Sequence, residues 1–329
     1  MRAEVAYPAG GIFVRSSKLA VWVVVLAALV AFPILSPAPY TLSTMTEILI
    51  FGIFAMSLDL LIGYTGLVSF GHAAFFGIGA YTAGLVAKSV GPNMPITMIA
   101  ALVVCAISAL VIGFFSIRTA GVFFLMLTLA FSQMVYAIAH QWTWLTGGSN
   151  GLAGVPRPDI SISSLTIEFY DHTRFYYVVL AFFVLSLLIL RRIVASPFGH
   201  ALIGIRENEG RMRAVGFNTR NFKLAAFVIA GIFGGLSGVL YVYYNGFISP
   251  SELYWTMSGN VMVMVIIGGA GTLIGPVLGA GTILLLQNIV SSNTERWPTI
   301  MGVIFIIFVL LARNGIIGLV NRAFQSVRR

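Results

Sequence analysis

A chain of 329 residues that is 59% hydrophobic and 9% charged is not a water-soluble domain, which carries roughly 25% charged residues. Continuous apolar runs of about 20 residues also exclude a transmembrane β-barrel, whose strands are short and alternating. The net charge of +9 is distributed as membrane orientation requires, not as a nucleic-acid footprint.

The expected fold is all-α, a polytopic bundle of ten spans in one domain. Span 1 covers 19–35, preceded by Arg2, Arg15 and Lys18 and closed by Pro33 and Pro37. No A-x-A cleavage site follows, so it reads as an uncleaved first span. Spans 2 (42–62) and 3 (66–87) meet at the turn Gly63-Tyr-Thr-Gly66. Span 4 (95–116) opens at Pro95 and contains the single cysteine, Cys105, which reads as a small buried apolar residue. Span 5 (120–141) leads into a polar segment, 142–173, with Trp142, Trp144 and the turn Gly147-Gly-Ser-Asn-Gly151. Those features suit an interfacial aromatic belt followed by tight turns. Span 6 (174–190) precedes a basic loop, 191–223, and span 7 (222–245) follows it. Span 8 (256–268) is too short to cross unless it starts near Leu253. The turn Gly268-Gly-Ala-Gly-Thr272 leads to span 9 (273–290), and span 10 (297–312) ends in a basic tail.

Threading these spans alternately places both termini and the 191–223 loop on one side. That side then holds fifteen Lys/Arg, seven of them in the loop (Arg191, Arg192, Arg206, Arg211, Arg213, Arg220 and Lys223), with Arg118 and, in the tail, Arg313, Arg322, Arg328 and Arg329. The opposite side holds four: Lys88, Arg157, Arg174 and Arg296. The excess marks the first side as cytoplasmic. The two glycine-rich turns at 63–71 and 268–275 then both face inward, either as ordinary hairpin turns or as re-entrant backbone.

Chemistry is conspicuous by what the sequence lacks. There is no G-x-x-x-x-G-K-[ST] phosphate loop, no H-E-x-x-H and no Cys/His set at zinc spacing. An enzyme, a metal and a cofactor are therefore not expected. Ionisable side chains within spans are functional pointers because burying them in hydrocarbon is costly. Glu47 and Asp59 in span 2 are either packing or interfacial carboxylates, or they line a water-filled path. Together with Ser69, Phe70 and His72 after the first glycine turn, and Gly268 and Gly269 in the second, they form the translocation-path candidates. The G-x-x-x-G pairs Gly231/Gly235, Gly234/Gly238 and Gly275/Gly279 let helix backbones approach, within the chain or at a subunit interface. In the basic loop, Ala201–Val215 has the pattern of a short amphipathic helix stopped by Gly216. It would lie on the membrane or dock in a partner's groove. The ten-span layout with Glu47 and Asp59 also keeps open a self-sufficient, ion-coupled secondary transporter.

Five stretches, in order, resemble one family: LDLLIGYTGLVSFGHAAFFGIGAY (58–81), TGGSNGL (146–152), SPFGHALIGIRENEGRMRAVGFNTRNFKLAAF (196–227), VIIGGAGTLIGPVLGA (265–280) and ARNGIIGL (312–319). They are similar to LivM-type permeases of branched-chain amino acid ABC importers. The resemblance implies a bacterial inner-membrane permease subunit paired with a homologous LivH-type permease. It also implies two cytoplasmic ATPase subunits, which carry ATP hydrolysis, and a periplasmic substrate-binding protein. On that likeness Ala201–Gly216 is the ATPase-coupling helix, with Arg206, Glu207, Asn208, Glu209, Gly210 and Arg211 as its contact residues. The family also takes in similar permeases for urea and aromatic acids.

Overall fold

The structure is a computed structural model describing residues 12–35, 38–162, 165–168, 171–311 and 315–318. Arg2 and the tail residues Arg313, Arg322, Arg328 and Arg329 lie outside the described residues, as do both chain ends whose sidedness the charge count assigned. The helices are α1 (Ile12–Leu35), α2 (Pro39–Asp59), α3 (His72–Ser89), α4 (Met94–Ser116), α5 (Val122–Gln141), α6 (Thr143–Thr146), α7 (His172–Val194), α8 (Pro197–Ala214), α9 (Thr219–Asn245), α10 (Trp255–Gly268), α11 (Ile274–Ser291) and α12 (Trp297–Leu311). The fold is an all-α bundle. Each expected span overlaps one of the helices α1–α5, α7 and α9–α12, of which α10 and α12 are short.

Six of these segments are long and apolar enough to cross a membrane alone: Pro39–Thr65, α4, α5, α7, α9 and α11. The first includes the π-helical turn Leu60–Thr65 that continues α2. α2 is enclosed on all sides from Ile48 to Asp59, which is why its sequence is apolar all round with little stripe. It packs with α3 and α9 at the centre. α4, α5 and α7 flank them and turn aliphatic side chains such as Ile99, Val103 and Ile107 outward, as a lipid-facing surface requires.

The glycine pairs close the centre within the chain. A methyl group on Gly231 or Gly235 would strike Ala109 or Cys105, and one on Gly238 would collide with the Phe76 carbonyl oxygen of α3. Cys105 is fully buried at that contact, as its sequence setting indicated.

α10 is short for a physical reason. The segment before it, Pro250–Leu253, dips into the bundle: the Ser132 hydroxyl of α5 donates to the Leu253 carbonyl oxygen at 3.1 Å, and Leu253 packs on Gly77 of α3. Ser132 lies nine residues from the end of α5, about 13 Å at 1.5 Å per residue. Helix α10 therefore begins at depth.

Segment 142–173 departs from the expectation of tight turns alone. It carries α6 and two small ribbons: β1 (Leu152–Ala153), and a hairpin of β2 (Asp159–Ile162) and β3 (Leu165–Glu168). Strand β1 pairs antiparallel with β4 (Phe247–Ile248), just after α9. The hairpin runs Asp159 opposite Glu168 to Ile162 opposite Leu165, following the alternation of Asp-Ile-Ser-Ile and Leu-Thr-Ile-Glu. Lys88 donates to the Ala153 carbonyl oxygen at 2.9 Å, tying the end of α3 to the same face.

Replacing Gly238 with Ala should force α3 and α9 apart and cost about 1–3 kcal/mol. Gly302→Ala, where a methyl group meets open space, should be neutral. Thermal unfolding of the two purified variants in detergent checks the contrast.

Candidate functional site

At the end of the bundle beneath the basic loop, three chain breaks converge. The first is the π-helical turn Leu60–Thr65, closed by Gly66 at φ +72°. The second is the turn between α10 and α11, residues 269–273. The third is α8. Asp59, fully buried, joins the first two: its carboxylate accepts from the Gly271 N–H at 2.6 Å and from the Leu273 N–H at 3.0 Å. Both donors lie in the turn that leads into α11, so a side chain from α2 pins the backbone at the entry of a distant helix. Gly63 sits in the same knot, where any side chain would collide with Asp59 and the Gly271 backbone. Arg206 of α8 completes it, donating from Nη1 to the Gly63 carbonyl oxygen while its stem packs on Gly66.

The two glycine turns, separated by some two hundred residues of sequence, thus meet at one point and an arginine from the basic loop reaches it. Arg118 and Arg220 lie at this end too, their guanidinium carbons 4.4 and 5.0 Å from the Phe114 ring centroid.

Helix α8 begins at Pro197, four residues earlier than the expected Ala201, because Ser196 caps it by accepting from the Gly199 N–H. It is also not one straight rod. Asn208 is extended (φ −158°, ψ 94°), and its side chain accepts from the Arg211 N–H at 2.9 Å. Asn208 is therefore the N-cap of a second short helix, which folds back so that Met212 covers Gly204. Gly216 (φ +96°) follows the end of the helix, as expected.

The kink sorts the six coupling candidates. Glu209 turns inward: it accepts from Lys223, from Arg213 at 2.6 Å and from the Thr219 hydroxyl at 3.0 Å. Lys223 is itself buried. Burial pushes the Glu209 carboxyl up, but the hydrogen bonds from Lys223 and Arg213, the Lys223 charge and the Thr219 hydroxyl outweigh it and hold it below the ordinary 4.5. Arg206 is exposed as a residue, but its Nη1 reaches into the junction. Glu207, Asn208, Gly210 and Arg211 are exposed as well.

The path candidates separate as well. Asp59 is the turn anchor just described. His72 starts α3, fully buried, with Nε2 2.7 Å from the Ser57 hydroxyl and its ring stacked on Phe54 at 5.4 Å. Ser69 is buried and accepts from the Gly71 N–H. The Phe70 N–H donates to the Thr128 hydroxyl at 3.3 Å, and its ring lies 6.4 Å from Trp255. Gly268 and Gly269 back onto Gly275 and Gly315. Glu47 lines a cavity of about 440 Å³ between α2, α9, α10, α11 and α12. Glu252 and Tyr241 share it. Neither Glu252 nor Tyr241 carried a sequence signal for this cavity.

Residues 40–312 match the family model described as branched-chain amino acid transport system / permease component. The chain belongs to that family. It is 28% identical over 315 residues to the high-affinity branched-chain amino acid transport system permease protein LivM of Escherichia coli (strain K12), covering 90% of this chain and 74% of that one. The LivM of Salmonella typhimurium is also 28% identical, over 312 residues, covering 88% and 72%. A probable branched-chain amino acid transport permease protein LivM of Methanocaldococcus jannaschii is 27% identical over 268 residues, covering 69% and 74%. No solved structure matches.

Two outcomes follow from the junction and the loop. Asp59→Ala leaves two buried N–H donors unpaired and should cost about 1–3 kcal/mol, whereas Asp59→Asn keeps one acceptor and should cost less, by thermal unfolding. Because the Glu209 value is depressed on folding, its contribution is complete above pH 4.5 and is lost as the pH falls through the folded value. The difference in Tm between wild type and Glu209→Gln should therefore be steady near neutrality and vanish in stronger acid.

Proposed function

We propose that the chain is the LivM-type subunit of an ABC importer for branched-chain amino acids in a bacterial inner membrane. It forms the translocation path with a homologous LivH-type permease, receives substrate from a periplasmic binding protein, and is driven by two cytoplasmic ATPase subunits. Family membership supports the transport reading. The observation that carries the coupling reading is the Arg206 bond to Gly63. It ties a helix with an exposed outer face to the junction of α2, α10 and α11.

In this reading the exposed residues Glu207, Asn208, Gly210 and Arg211 meet an ATPase groove, while Arg206 and Glu209 hold α8 to the membrane bundle. ATPase closure then displaces α8 as a body. Arg206 passes the displacement to the Gly63 carbonyl, and Asp59 passes it on to the 269–273 turn. The chain itself has no phosphate loop, so nucleotide chemistry is assigned to the partner chains.

Reconstitution in liposomes separates the two faces of α8. The complete complex should take up leucine only with ATP. Arg206→Ala should keep ATPase association but lower uptake per ATP hydrolysed on the order of tenfold, within the 5–150-fold range of ordinary coupling energies. Arg211→Glu together with Glu207→Lys should instead weaken ATPase association. Leucine uptake by the chain alone, driven by an ion gradient without ATP, would overturn this reading in favour of a secondary transporter.

A further inference from the structure

The 440 Å³ cavity lies within the roughly 300–1,000 Å³ of small-molecule sites. Its depth is notable. Glu47 is eight residues along α2 from Pro39, about 12 Å from the helix start. Glu252 adjoins Leu253, which the Ser132 bond holds about 13 Å from the end of α5. Both carboxylates therefore sit well below the outer surface, where an unmatched charge is expensive.

Neither has a cationic partner among the described residues, where the recorded ion pairs are Arg213–Glu209 and Lys223–Glu209. The Tyr241 hydroxyl donates to Glu252 Oε1 at 3.3 Å, and Glu47 has no hydrogen bond in this set. A purely structural brace would account for Glu252 and Tyr241 but not for Glu47, which comes from a different helix and turns to the same space.

The remaining walls are of two kinds. Met257, Met264, Ile283, Leu284, Met301 and Phe305 supply apolar, partly flexible surface. The amides of Asn260 and Gln287 supply N–H donors. Acceptors for an ammonium, donors for a carboxylate and an apolar wall together are the complement of an aliphatic α-amino acid.

We propose that this cavity, between α2, α9, α10, α11 and α12, is a mid-membrane binding site for an aliphatic amino acid. Glu47 and Glu252 receive its ammonium group, Asn260 and Gln287 its carboxylate, and the methionine-rich wall its side chain. This deepens the importer reading and rests on it for the substrate's passage, though not for the site's existence.

The test uses the complete complex carrying Met301→Cys, or Leu284→Cys where the first fails to assemble. The native Cys105 is fully buried and leaves the background quiet. Thiol labelling is timed with a cationic and an anionic methanethiosulfonate, with leucine, isoamylamine or 4-methylpentanoate as protectant. The cationic reagent should react at least about tenfold faster, as a focused negative field requires. Leucine and isoamylamine should protect, and 4-methylpentanoate should not. Glu47→Gln with Glu252→Gln should abolish both the preference and the protection. Equal rates without protection overturn the site. If the same preparation still imports leucine with ATP, the site falls alone and the importer reading stands. Charge preference and amine protection in the variant, with no ATP-driven uptake by the wild-type complex, would keep the site and remove the importer reading.

Discussion

Much of the end of the bundle beneath the basic loop depends on one carboxylate, Asp59. It holds the N–H groups of Gly271 and Leu273, and without it the turn leading into α11 would present unpaired donors inside the bundle. The geometry is demanding on both sides. Leu273 has φ +59°, an uncommon conformation for a branched residue, of a kind that costs on the order of 1–3 kcal/mol. Gly63 must lack a side chain for the two turns to touch. A strained leucine, an obligate glycine and a buried carboxylate are mutually necessary, and the positions of α2, α10 and α11 follow from them.

Arg206 turns this packing feature into a connection. Its guanidinium occupies the Gly63 carbonyl oxygen, a group at the π-helical turn where the regular i to i+4 ladder is already broken. Gly63 lies within the last four residues of that segment, whose carbonyls have no intrahelical partner. Its oxygen is therefore left as an acceptor for a side chain from another element. Farther along α8, Glu209 clamps the second half of the helix to buried Lys223 and Thr219 of α9. The loop is held to the bundle at two points with the Asn208 kink between them. That arrangement moves as a unit more readily than a helix resting on a membrane surface would.

Hydropathy made the apolar helices legible, since each expected span overlaps one of them. The glycine pairs signalled close packing, and the packing is within the chain. What escaped was non-local. Asn208 sat in a run of charged residues that read as one helical stripe. The available signal was its identity as a strong N-cap residue three positions before Arg211, which the surrounding charges masked. Asp59 was legible as an oddity but not in its role, because its partners Gly271 and Leu273 lie over two hundred residues away. Glu252 gave no sign of its depth, because linear position says nothing about a segment that folds back into the bundle.

That dip also explains a set of hydroxyls that carry no signal of their own in the sequence. Broken backbone at membrane depth needs partners that lipid cannot supply. Ser132 donates to the Leu253 carbonyl, Ser258 accepts from the Ala73 N–H at 2.8 Å, and Thr128 accepts from the Phe70 N–H. Each lies on a helix packed against an interruption, one before α10 and the other before α3. The interruptions are thus neighbours, stitched together by small polar side chains, and α10 has irregular backbone at both its ends. Such a helix is fixed by side-chain hydrogen bonds rather than by long continuous packing, and it lines the Glu47 cavity along one face. A displacement entering at its Gly268 end through Asp59 would therefore reach the cavity directly.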